Sequence, residues 1–344
     1  MEKKKKVLPV GDAPIQYLMR FYTPMMVTFL DKEEVLPWFS SSFFLIRTQN
    51  KKRPDGLYSY RWMIQKNRNP FICKFPAPFF YPSMMKEEKL KQRVKQMIDN
   101  DWYVMLHVDL YELEPFEYYQ KNHFVHSILL YGYDEEKQSV FLRGYCFGAS
   151  IVTIEVDFAS FSRAFFGSKK NDVWIFRRKK LRHPVKFDKK LFFKTVKANA
   201  TGRCPGLYYQ LVTRSPLVPF GSYYGYKAHA DLQQSMQRLL EGDPYVNPEI
   251  RLYSYKEMAQ CMCMRLDYIR TQFPCDELDA ARAAFEALKK KYTVMLNLWL
   301  RIRVTERTEK ASERMAELEQ QAFQMEKQAF ENLYSALKKL WGYR

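Results

Sequence analysis

The stretch from Trp102 to Asp134 constrains this chain most. Its opening, Trp-Tyr-Val-Met-Leu-His-Val-Asp-Leu over 102–110, and its close, Ser-Ile-Leu-Leu-Tyr over 127–131, are apolar enough for central strands of a sheet. Two of the chain's five histidines, His123 and His126, stand at the mouth of the second run, which ends in Gly132-Tyr133-Asp134. A buried strand with ionisable groups at its mouth is a place where a fold can present chemistry.

The flanking sequence supplies helices and further strands. Residues 85–99 carry apolar side chains at 90, 94, 97 and 98, a helical spacing. Residues 43–46, 58–62, 139–142, 149–156 and 173–177 read as strands, with Pro54-Asp55-Gly56 a turn before the second of them. Residues 134–138 fit a hairpin loop, and 158–166 a short helix. Helices and antiparallel strands that cluster instead of alternating indicate an α+β class.

The pattern changes after His183-Pro184. Residues 199–226 hold several Gly and Pro and read as loop. Beyond them, 226–240, 255–272, 275–303 and 305–340 read as helices. In the last, Glu317, Glu319, Glu326 and Lys327 are assigned to solvent positions, and Met315, Leu318, Phe323 and Met325 to the buried face. The expected organisation is an α+β domain over 1–185, a linker over 186–225 and an all-α helical bundle over 226–344. A length of 344 residues suits two domains.

Composition narrows the setting. No apolar run is long enough to cross a membrane, and no apolar core follows Lys3–Lys6, so the expected location is cytoplasmic. The six cysteines form no Cys-x-x-Cys pair and read as free thiols. The net charge of +18 suits an acidic protein partner such as an acyl or peptidyl carrier protein. Nucleic acid is the less favoured acidic partner, because the basic residues are spread along the chain. No phosphate-binding glycine motif occurs, and no cofactor or metal is expected.

Taken together, Val108-Asp109-Leu-Tyr111, Tyr118-Tyr119, His123-x-x-His126 and Tyr131-Gly-Tyr-Asp134 resemble the N-terminal domain of the butirosin biosynthesis protein H family. Weaker similarity continues in Tyr223-Tyr-Gly-Tyr226 and in residues 250–269. The resemblance implies a papain-like domain followed by a helical one. It also implies acyl or aminoacyl transfer from a carrier-bound thioester to an amine acceptor, in bacterial antibiotic or nonribosomal-peptide biosynthesis. That chemistry uses a thiolate at the start of a helix, a histidine base on a strand and a group that orients the histidine. His126 matches the histidine. The thiolate has no match: no cysteine precedes Cys73, which sits among prolines, and the segment 17–30 offers only Thr23 and Thr28. The aspartate that relatives carry on the following strand is replaced by Gly144.

Two of three roles are thus open, and His126 has two readings. As a general base it would assist direct attack of an amine on a carrier-tethered thioester, with Asp109 orienting it or binding the amine and with His123, Tyr111 and Tyr131 lining the substrate site. As a relic it would be a hydrogen-bonded core residue of a pseudoenzyme that scaffolds an assembly line. Asp109 has its own structural alternative, a strand-end carboxylate satisfied by backbone amides. His107 alternates with Asp109 and so shares its face of the strand.

Overall fold

A computed structural model describes residues 4–12, 25–41, 45–52, 58–63, 69–114, 116–146, 150–204, 206, 222–243, 248–305 and 309–343. The chain forms two compact units, one of residues 1–35 and 70–184 and the other of 36–69 and 185–344. Among the described residues no helix is long and apolar enough to cross a membrane.

In the first unit β1 (Lys5–Val7) is followed by β4 (Ile72–Pro76), α2 (Glu87–Asp99), β5 (Tyr103–Asp109), β6 (Val125–Asp134), β7 (Ser139–Cys146), β8 (Ser150–Asp157), α3 (Phe158–Gly167) and β9 (Trp174–Arg178). The division between units falls within α1 (Lys32–Ser41), and β2 (Leu45–Lys52) and β3 (Tyr58–Met63) belong to the second unit. The strands of the first unit make one antiparallel sheet in the order β4-β9-β5-β6-β7-β8, with β1 also paired to β6. The apolar runs at 102–110 and 127–131 become its two central strands, joined in register from Val104↔Leu130 to Asp109↔Val125.

Local chemistry sets the element ends. In α2 the buried residues are Leu90, Val94, Met97 and Ile98, the four apolar positions of the sequence pattern. Asp157 caps α3 by accepting from the Ser160 amide at 2.8 Å. Asp134 Oδ1 accepts from the amides of Glu136 and Lys137, both at 3.1 Å, and so turns the β6–β7 hairpin. Gly132-Tyr133-Asp134 is therefore the last part of β6, with the turn after it. Gly132 is needed for a different reason. A Cβ there would lie 3.0 Å from the Lys6 carbonyl oxygen, where β1 crosses.

The second unit contains α4 (Lys189–Thr201), β10 (Ser222–Tyr224), α5 (Ala230–Leu240), α6 (Glu249–Gln272), α7 (Asp276–Val304) and α8 (Glu309–Trp341). It is not all-α: β10, β2 and β3 form a three-stranded antiparallel sheet. Nor is 186–225 only a linker. Asp188 caps α4 through the Leu191 amide at 2.8 Å, Gly202 ends it in the left-handed conformation, and Leu191, Phe192 and Val196 are buried. The four C-terminal helical segments read from sequence match α5 to α8 in type and position.

Candidate functional site

The end of β5 and the start of β6 carry most of the expected site residues. Asp109 is 5% exposed. Its Oδ1 accepts from the amides of Tyr111 and Phe124, each at 3.1 Å, and its Oδ2 accepts from His123 Nδ1 at 2.6 Å. The first of these contacts caps the short 3-10 turn at Leu110–Glu112. The His123 ring is largely exposed and stacks on Tyr111 with centroids 4.3 Å apart. Asp109, Tyr111 and His123 thus form one hydrogen-bonded and stacked group at a strand end.

His126 is not part of that group. The register pairs Asp109 with Val125 and Val108 with His126, so alternation sends the Asp109 and His126 side chains to opposite faces of the sheet. Asp109 serves His123 and two amides instead of orienting His126. The His126 ring is half-buried and stacks with Phe124 at 5.7 Å. Its Nδ1 lies 3.2 Å from the Ser127 carbonyl oxygen. A carbonyl only accepts, so Nδ1 carries the proton and Nε2 keeps the basic lone pair. Desolvation holds the His126 pKa below its usual value, with His107 adding to the effect and the Ser127 carbonyl opposing it. The imidazole is accordingly neutral at pH 7.

The face opposite His126 holds a contact that sequence reading missed. Ser127 Oγ lies 2.8 Å from His107 Nε2, and His107 Nδ1 lies 3.2 Å from the Asp172 carbonyl oxygen. These two are cross-strand partners in the β5–β6 ladder. Tyr131 lies further along β6, buried and tilted against Phe141, and does not join the Asp109 group.

Residues 39–143 match the family model of butirosin biosynthesis protein H, N-terminal. No curated protein matches the chain. The butirosin biosynthesis protein H match contains Asp109, His123, His126 and Ser127 and ends at Arg143, immediately before Gly144.

The structure also places the candidate nucleophiles and Gly144. Cys73 lies on β4, three strand steps from β6, or about 14 Å across the sheet. Its partner Arg177 lies level with the residue before Tyr103, whereas His126 pairs with Val108, roughly 20 Å further along. Cys73 therefore cannot donate a proton to His126. Burial pushes the thiols of Cys261 and Cys263 up to about 12 and about 11, which leaves them unreactive. Thr23 lies outside the described residues, and Thr28 is fully buried. A Cβ at Gly144 would meet Ile128 Cγ1 at 3.2 Å and Phe116 Cζ at 3.4 Å, so apolar side chains border this position.

A second ionisable cluster, absent from the sequence reading, lies within the second unit. Fully buried His229 contacts Glu319 through Nδ1 at 3.3 Å and Glu326 through Nε2 at 2.9 Å. Tyr292 donates to Glu326 Oε2 at 3.0 Å. Burial opposes the charged imidazolium, yet Glu326 and Glu319 outweigh it and raise the His229 pKa to about 9. Glu319 and Glu326, assigned to solvent by their charge, are 3% and 0% exposed. Their seven-residue spacing places them in register with Ser312 and Leu333, both also buried, on one face of α8. That spacing was the available signal.

Proposed function

We propose that this protein works in antibiotic biosynthesis of the butirosin type, on an acyl or peptidyl group held as a thioester by a carrier protein. His126 acts as general base without a cysteine nucleophile. The observation that carries the reading is the geometry of His126, near the start of β6 with Nδ1 3.2 Å from the Ser127 carbonyl, which makes Nε2 the proton-accepting nitrogen of the neutral ring. An amine attacks the thioester carbonyl, a C–N bond forms, and Nε2 removes the ammonium proton. The C–S bond then breaks, and the proton passes to the departing thiolate. A histidine at the start of a strand is the position that the resemblance to a papain-like domain implies for the base. The basic chain suits an acidic carrier.

The test is turnover of an aminoacyl-N-acetylcysteamine thioester, and of a carrier-loaded thioester, with an amine acceptor. His126→Ala lowers the rate at least ~100-fold and Cys73→Ala leaves it unchanged. Turnover unaffected by His126→Ala overturns the mechanism. No turnover on any thioester favours the pseudoenzyme scaffold, which the engagement of Asp109 by His123 already suits.

A further inference from the structure

We infer that Ser127 and His107 form a second acyl-accepting centre, a serine nucleophile and its base, on the sheet face opposite His126. The inference takes only the acyl substrate class from the function proposed above and does not depend on His126. Three parts of a serine nucleophile are present in order. Ser127 Oγ donates to His107 Nε2 at 2.8 Å, the distance and atom required for proton removal. His107 Nδ1 donates to the Asp172 carbonyl at 3.2 Å, and this fixes the tautomer with its lone pair on Nε2. Asp172 is itself held in place, its carboxylate accepting from Trp174 Nε1 at 2.5 Å.

The backbone explains why this pair is reachable. Pairing of β5 with β9 ends at Met105↔Trp174, so His107 lies two residues beyond the neighbouring strand and stays half-exposed. Ser127 beneath it is only 3% exposed. A hydroxyl shielded in this way accepts a small activated acyl group, an ester or thioester of a short acid, in preference to a peptide. The chemistry balances without a cofactor. Oγ attacks the acyl carbon and forms a C–O bond while its proton moves to His107 Nε2. The bond to the leaving sulfur or oxygen then breaks, and His107 returns the proton to it. Water repeats the sequence on the acyl-serine, releasing the free acid and regenerating Ser127.

The experiment is covalent labelling of the full chain with a short-alkyl fluorophosphonate, read by intact mass and peptide mapping. The expected result is a single adduct on Ser127. It is absent in Ser127→Ala and forms at least ~100-fold more slowly in His107→Gln. Both variants are checked for wild-type thermal unfolding, and Ser127→Cys, alkylated by iodoacetamide faster than the same variant carrying His107→Gln, tests the pair if Ser127→Ala does not fold. No adduct on the wild type, or an adduct elsewhere, overturns the inference. His126→Ala separates the two proposals: it abolishes thioester aminolysis and leaves Ser127 labelling intact. Labelling without any aminolysis removes only the His126 mechanism, and aminolysis without labelling removes only this centre.

Discussion

His126 in the first unit and His229 in the second are both withdrawn from water, and they differ in charge: the first is neutral and the second is a cation. His126 is half-buried with Phe124 stacked beside it, so desolvation lowers its pKa against the opposing effect of the Ser127 carbonyl, and the ring is neutral. His229 has a carboxylate on each nitrogen and is held as an imidazolium, with a pKa near 9. The comparison shows how to divide chemistry from architecture. His126 keeps a neutral ring at a strand mouth, whereas His229, between Glu319 and Glu326, has both nitrogens committed to holding helices together.

The largest effect should come from removing one arm of the clamp. Glu326→Ala leaves His229 charged beside a single carboxylate and is expected to cost about 3–5 kcal/mol in urea unfolding, as broken buried ion pairs do. His126→Ala should cost less than about 1.5 kcal/mol, the ordinary range for a half-buried side chain. Equal costs would remove the distinction between the two sites.

The pH dependence of stability should then separate them by sign. His229 has a folded pKa raised from 6.5 to about 9, and the groups around it are Glu319, Glu326, Tyr292 and Tyr255. Its contribution, about 3 kcal/mol for a shift of this size, is fully present below pH 6.5 and is lost as pH rises through 9. His126 acts the other way. Its folded pKa is depressed, so the unfolded chain binds the proton first and stability falls as pH drops below 6.5. Urea midpoints measured from pH 5.5 to 9.5 should show the alkaline loss, and His229→Gln should abolish it.

Catalysis supplies the next contrast. His126→Ala should lower thioester aminolysis at least ~100-fold, about 2.7 kcal/mol of barrier. The acid limb of the wild-type rate profile should lie below pH 6.5, because the base stays neutral to lower pH than a free imidazole. His229→Gln should leave that limb where it is.

Much of this was legible in the sequence, for reasons that differ by residue. The helix at Glu87–Asp99 follows from periodicity, since its buried residues are the apolar ones, and the strands β5 and β6 follow from apolar runs that are buried on both faces. The helix at Lys189–Thr201 did not, because its apolar residues are interleaved with lysines and precede a stretch rich in Gly and Pro. His123 and His126 stood out as neighbours of apolar runs, but the pairing of Asp109 with His123 depends on strand register, which one strand's sequence does not state. Ser127 was hidden inside an apolar run. The partners of His229 lie 90 and 97 residues away, a separation only tertiary structure brings together.

The smallest effect tests whether Asp109 belongs to the His126 chemistry at all. Asp109→Ala removes the acceptor for the Tyr111 and Phe124 amides and for His123, and a lost cap of this kind costs roughly 1 kcal/mol. Asp109→Asn keeps a side-chain oxygen for the two amides and should recover most of that loss. Because Asp109 and His126 point to opposite faces of the sheet, neither substitution should move the acid limb of the aminolysis profile or reduce turnover as His126→Ala does. Loss of turnover in Asp109→Asn at wild-type stability would show that the two residues are coupled after all, and would place the Asp109–His123–Tyr111 group in the path of the acceptor amine.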